Sequence, residues 1–310
     1  MSKRLYEHLK SLTTEQSNRR SANLDRLDIP AILKLMNGED KLVPSAVTRV
    51  LPQIAVAVEM ITRSFRAGGR LIYAGAGTSG RLGVLDAAEC PPTFGVPAGM
   101  VRGIIAGGRG TLVRSREGVE DDVTAAVRDI EKLKPRRIDT VIGIAASGRT
   151  PYPLAALKRA KKSGATTVFL VCSDLPKIPA FVDLVINPIL GPEVLTGSTR
   201  LKAGTACKMI LNMLTTTSMV QIGKCYGNLM VDLRATSEKL TERSKRILVE
   251  TTGVSYQQAS KLLKRSHGEV KTAIVMQLTS VNYSKAKQLL AKSDGKLSMV
   301  LQRQKSSRSR

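Results

Sequence analysis

The feature that most constrains this chain is an alternation, between residues 70 and 186, of short apolar runs with longer helical stretches. Arg70–Ala74, Val101–Ala106, Thr140–Ala145, Thr166–Val171 and Asp183–Ile186 are rich in β-branched residues and punctuated by Gly or Ser. Runs of this kind are the mark of strands buried on both faces of a parallel sheet. Between them, Thr111–Leu133 and Pro153–Ser163 read as helices. The alternation predicts an α/β fold built on a doubly wound, mostly parallel five-stranded sheet.

Helical segments flank that sheet. Asp28-Ile29-Pro30 predicts a helix start, because Asp caps and Pro suits the first turn, and Asn37-Gly38 predicts its end. From Ser45, the residues Val47, Val50, Leu51, Ile54, Val58, Ile61 and Phe65 recur at helical spacing. Pro52 should kink that helix or begin a new one, and Gly68-Gly69 should close it. Beyond Gly204 the strands are expected to stop, leaving helices over 205–223 and 229–250 and then three short ones within 254–310. Ser255 and Gln258 stand at capping-box spacing. The expected division is an N-terminal helical segment 1–50, a sheet domain 51–230 and a C-terminal helical region 231–310. A three-helix unit at about 250–303 and a basic tail at 303–310 belong to that last region.

Composition narrows the chemistry. Only His8 and His267 are present among 310 residues, which argues against His-based zinc sites and Ser-His-Asp triads. Acid–base work then falls to carboxylates, Lys, Tyr or Cys. Cys90, Cys172, Cys207 and Cys225 make no CxxC pair and read as reduced thiols. Lys and Arg exceed Asp and Glu by 49 − 25, a net charge of +24. Yet aromatic residues are 3% with no Trp, so base-stacking platforms are scarce and nucleic acid is a disfavoured partner. A basic surface equally steers small anions. No apolar run approaches the roughly 20 residues of a membrane span. The N-terminal residues lack a signal-peptide core, so the cytoplasm is the expected location and no membrane partner is expected.

Three loops carry hydroxyls beside small residues. Gly75-Ala-Gly77-Thr78-Ser79-Gly80 follows a predicted strand and opens a predicted helix, formally a dinucleotide fingerprint. The second strand, however, ends in Gly107-Gly108-Arg109 with no acid for a ribose, and Pro91-Pro92 should cut the helix short. What is left is a helix N-terminus with Gly77, Thr78 and Ser79, suited to one phosphate. Ser147-Gly148-Arg149-Thr150 repeats the chemistry after another strand, and Glu193, Ser198 and Lys202 fall in a third cluster. Any one of these is ordinary turn chemistry; together they point to a phosphorylated ligand. Glu89 ends the helix after the first loop, among apolar and small residues. Glu117 and Glu120 share a helical face within the predicted helix Thr111–Leu133. For Glu117, Asp121 and Asp122 a solvated acidic face is the simpler reading.

Leu71–Gly83, Asp86–Gly95, Ile144–Tyr152 and Gly191–Ala206 resemble N-acetylmuramic acid 6-phosphate etherases, as do Leu35–Lys41 and Gly227–Asp232. The resemblance runs from about Thr14 to Leu301. It implies a sugar isomerase (SIS) domain, a homodimer with sites near the subunit interface, and a cytoplasmic role in recycling cell-wall sugars. The implied reaction cleaves the D-lactyl ether of N-acetylmuramic acid 6-phosphate, without metal or redox cofactor. By motif, Glu89 matches the acid that protonates departing lactate and Glu120 the family's other catalytic glutamate. The chain departs from the pattern at Cys172-Ser173-Asp174, Cys207 and Ser237. The C-terminal helices resemble small ubiquitin-associated-type units, here expected to pack on the dimer. Two other readings share the domain: a sugar-phosphate-binding regulator similar to the glucokinase regulatory protein, and an aldose–ketose phosphate isomerase.

Overall fold

A computed structural model describes residues 13–232 and 238–308. The chain divides into two compact units. One holds the described residues up to Ala88 together with Gly99–Thr215; the other holds Glu89–Ala98 and the described residues from Thr216 onward.

The first unit is built on five parallel strands: β1 (Leu71–Gly75), β2 (Val101–Ile105), β3 (Thr140–Ile144), β4 (Thr166–Leu170) and β5 (Leu184–Ile186), in the order β2-β1-β3-β4-β5. All five predicted strands are present within a residue or two. Every residue of β1 and β3 is buried, which is why their sequences show no polar alternation. Leu157, Phe169, Ile130 and Val141 are fully buried in one cluster beneath them. Burial of each such side chain is worth about 1.5–3 kcal/mol.

The helices ahead of the sheet follow the sequence closely. Asp28 caps α1 (Ile29–Asp40) by accepting from the Ala31 N–H at 2.9 Å. The helix does not stop at Gly38; it continues to Asp40. Next come α2 (Leu42–Arg49) and, with Pro52 in its first turn, α3 (Leu51–Arg66). Proline thus starts a new helix where its missing N–H costs nothing.

Two expectations for the sheet domain need correction. The helix after β1, α4, is not cut short, since it runs Gly77–Phe94 with Pro91 and Pro92 inside it. The stretch Thr111–Leu133 is not one helix. Two short 3-10 turns, Arg109–Leu112 and Val119–Asp121, precede α5 (Val123–Lys132), whose N-terminus Asp122 caps through the Ala125 N–H at 2.7 Å. The capping aspartate and the left-handed Gly118 (φ 77°) set that start. Helices α6 (Pro151–Lys162) and α7 (Lys202–Gln221) complete the set that positions the loops.

In the second unit strands do not stop altogether, because Cys225–Tyr226 and Leu229–Met230 pair as a short antiparallel hairpin. The helix expected from Leu229 is seen over Glu238–Thr252 (α8). Among the described residues four helices, not three, follow: α9 (Tyr256–Arg265), α10 (Val270–Thr279), α11 (Tyr283–Ala291) and α12 (Leu297–Arg308). Both halves of the Ser255–Gln258 capping box form. Leu262, Ala273, Ile274, Ala286, Leu290 and Val300 make this unit's core. Among the described residues no single helix is long and apolar enough to cross a membrane.

Candidate active site

In a strand order of this type the chain leaves β1 toward β2 on one side and reaches β3 on the other. The loops after β1 and β3 therefore emerge side by side, at the point where ligands of open α/β sheets bind. Gly75 and Ile144, the last residues of the two strands, are register partners. The two hydroxyl-bearing loops found in the sequence start at this pair.

A cavity of about 330 Å³ lies there. Gly77, Thr78 and Ser79 line it from the first turn of α4, and Ser147 and Thr150 from the loop after β3. A helix's first N–H groups have no acceptor four residues back, so the α4 terminus presents donors together with two hydroxyls. Gly77 adopts φ +52°, a conformation that glycine takes at little cost. Gly80 has a different reason to lack a side chain. A Cβ there would stand 2.6 Å from Ile105 Cγ1 and 2.7 Å from the Gly75 carbonyl oxygen. Helix and sheet approach too closely for anything larger. Gly80→Ala is expected to destabilise the protein by about 1–3 kcal/mol through overpacking, read as a lowered thermal midpoint.

Thr150 occupies the cap position of α6 without capping it, and it lines the cavity. The loop is held from below: the Cys172 N–H and the Ser173 hydroxyl both donate to the Ala146 carbonyl, at 2.9 and 3.3 Å.

The acidic element comes from the connection after β2. Glu120, half-buried in its 3-10 turn, lines the same cavity, and so does exposed Glu117. They meet at one site without sharing a helix face. Arg81 fastens this connection to α4, donating to the Leu112 carbonyl at 3.2 Å and to Ser115 Oγ at 3.1 Å.

Of the other predicted contacts, Gly148, Arg149 and Ser198 adjoin the wall residues without lining the cavity, whereas Gly197 and Thr199 do line it. Glu193 and Lys202 point inward. The Glu193 carboxylate accepts the Lys202 and Ala203 N–H groups, both at 3.0 Å, and the Lys202 ammonium lies 2.6 Å from Glu39. Burial pushes the Glu193 carboxyl up, against the pull of those N–H donors. Glu15, Arg81 and Arg116 also line the cavity, although none of them is among the predicted contacts.

Glu89 lies in the second unit and is exposed in this chain. Ala87 and Cys90 take the inward positions of its helix turn. Its neighbour Asp86, in the first unit, is buried. It accepts from Tyr73, Asn212 and Thr215 at 2.9, 2.9 and 3.1 Å, and burial raises its carboxyl despite those donors. Of the departures from pattern, Cys172 and Cys207 are buried with sulfurs 3.9 Å apart, and Ser237 lies outside the described residues.

A larger cavity, about 660 Å³, lies within the second unit, and its charged side chains are paired with one another. Lys271 and Lys224 pair with Asp232 at 2.6 and 3.1 Å, and Lys287 with Glu269 at 2.9 Å.

Residues 53–161 match the glucokinase regulatory protein N-terminal SIS domain. An N-acetylmuramic acid 6-phosphate etherase of Mycolicibacterium smegmatis is 53% identical over 86% of this chain and 90% of its own length. One of Geobacillus thermodenitrificans is 54% identical over the same shares. The chain belongs to the N-acetylmuramic acid 6-phosphate etherase family. A solved phosphoheptose isomerase from Neisseria gonorrhoeae is 16% identical, with a TM-score of 0.45, over 60% of this chain and 96% of that one. The etherase relatives match well beyond the SIS segment, so the family assignment includes the helical second unit.

Proposed function

We propose that this protein cleaves the D-lactyl ether of N-acetylmuramic acid 6-phosphate, giving N-acetylglucosamine 6-phosphate and D-lactate. The observation that carries the reading is the match to etherases at 53–54% identity over 90% of their length. The cavity suits such a substrate, with hydroxyls of Thr78, Ser79, Ser147 and Thr150 and the α4 N-terminus for the 6-phosphate, and Glu120 beside them.

In the open-chain sugar the C2 proton is acidic because the aldehyde adjoins it, and the ether at C3 is a β-leaving group. Glu120 removes the C2 proton; the electron pair forms a C2=C3 double bond and the C3–O bond breaks. Glu89 protonates the departing ether oxygen, which leaves as D-lactate. Water then adds oxygen to C3, with its proton accepted by Glu89, while Glu120 returns a proton to C2. Each acid–base group supplies about two to four decades. Anchoring the phosphate supplies the positioning that makes them effective.

A homodimer acting in the cytoplasm, within cell-wall sugar recycling, is part of the same reading. Exposed Glu89 is consistent with a site that gains its shelter from substrate or a second copy. Sedimentation equilibrium is expected to give twice the chain mass; a monomer at working concentration would remove the dimer from the account. The SIS match to a regulatory protein favours one alternative, a sensor without chemistry. Purified protein incubated with N-acetylmuramic acid 6-phosphate should release D-lactate and N-acetylglucosamine 6-phosphate in equal amounts. Tight binding without turnover would favour the sensor.

A further inference from the structure

The segment from Leu190 to Lys202 is fastened at its base. Lys202 is 1% exposed, and its ammonium donates to Glu39 Oε2 at 2.6 Å and to the Leu190 carbonyl at 3.1 Å. The next fastening is the Glu193 carboxylate, which takes the first two N–H groups of α7. Both ends of the loop thus close on one ammonium and one carboxylate.

The same centre reaches the N-terminal segment. The second oxygen of Glu39 accepts from Arg20 Nη1 at 2.9 Å. Asn18 Nδ2 donates to the Pro192 carbonyl at 3.3 Å, Ser21 Oγ to the Val194 carbonyl at 2.7 Å, and the Gly197 N–H to the Thr14 carbonyl at 3.2 Å. Loop and segment form one hydrogen-bonded assembly with Glu39 at its centre. From it Gly197, Thr199 and Glu15 reach the cavity wall.

A buried ion pair is a poor way to gain stability, because desolvating two charges offsets most of their attraction. What it specifies is a single arrangement of the parts it joins. Here those parts are the two segments that bring these wall residues to the cavity. Burial alone would push the Glu39 carboxyl up, but hydrogen bonding and charge from Lys202, with Arg20, hold it below its ordinary range. The Glu39 carboxyl therefore stays ionised near neutral pH.

We propose that Glu39 and Lys202 are positioning residues, which fix the 190–202 loop against the N-terminal segment and so set the cavity wall that carries Gly197 and Thr199. The inference takes its substrate from the etherase reading and its geometry from the ion pair alone.

The test compares Lys202→Met, Glu39→Gln and the double variant with wild type. In Lys202→Met the KM for N-acetylmuramic acid 6-phosphate and the Kd for N-acetylglucosamine 6-phosphate should each rise roughly tenfold or more, from a misplaced wall. Values of kcat should stay within about twofold, since uniform binding is what is lost. Glu39→Gln keeps an acceptor for Lys202 and should raise KM less. The double variant, with neither charge left buried alone, should regain thermal midpoint yet keep a raised KM. Should Lys202→Met fail to fold, the double variant carries the test. A wild-type KM in the double variant overturns the proposal, as does a fall in kcat at unchanged KM, which is what mere loss of folded enzyme gives. Wild-type protein that binds N-acetylglucosamine 6-phosphate but releases no lactate would sink the etherase reading, while the Kd comparison among variants would still decide the positioning claim.

Discussion

Glu89→Gln is expected to suppress lactate release strongly while exchange of the substrate's C2 hydrogen with deuterated solvent continues. Glu120→Gln should suppress both. The asymmetry follows from the order of bonds: C2–H breaks before the ether needs its proton, so losing the acid leaves the first step reversible. Each substitution removes one proton-transfer group, and kcat for lactate release should fall by about two to four orders of magnitude. Proton exchange followed by NMR, alongside an enzymatic lactate assay on the same samples, separates the roles. Loss of exchange in Glu89→Gln with exchange retained in Glu120→Gln would reverse the assignment.

Asp139→Ala should have the opposite character, with a large loss of stability and an unchanged KM. Asp139 is fully buried just before β3, at the end of the sheet away from the cavity. It accepts from the Arg70 N–H at 2.9 Å and from Arg70 Nη2 at 2.6 Å, and from the Arg136 N–H at 2.9 Å. One side chain therefore aligns the starts of β1 and β3. Burial alone would raise its carboxyl, but hydrogen bonds from Arg70 and Arg136, with the Arg70 charge, outweigh burial and hold it below the ordinary range. Removing it strands several donors and should cost about 3 kcal/mol. For a unit of this size that is roughly 6–12 °C in thermal midpoint. Its folded value lies below its unfolded one. The stability that Asp139 contributes is thus complete above about pH 4 and is lost as pH falls through the folded value. The variant's deficit against wild type should shrink in acid; a deficit that persists there would contradict this origin.

The first unit was legible because its signals are local. Buried strands declare themselves by β-branched runs, Asp28 and Pro52 by where a cap and a first-turn proline belong, and the β1 and β3 loops by small hydroxyl residues following a strand. Elsewhere tertiary contacts override the local cues. Pro91 and Pro92 are carried within a helix that the sequence alone would end. Glu117 and Glu120 reach one cavity through turns, not through a common helix face. Glu193 and Lys202 sit in a motif that looks ligand-facing, but their partners, Glu39 and the α7 N-terminus, are chosen by the fold. Glu15 has no local signal, because it reaches the cavity only once the N-terminal segment meets the Gly197 loop.

The central claim, elimination across C2 and C3 followed by addition of water, is tested most directly by running the reaction in water enriched in heavy oxygen. D-lactate should be free of label, and N-acetylglucosamine 6-phosphate should carry solvent oxygen at C3. Label in the lactate hydroxyl, with the ether oxygen kept on the sugar, would contradict it.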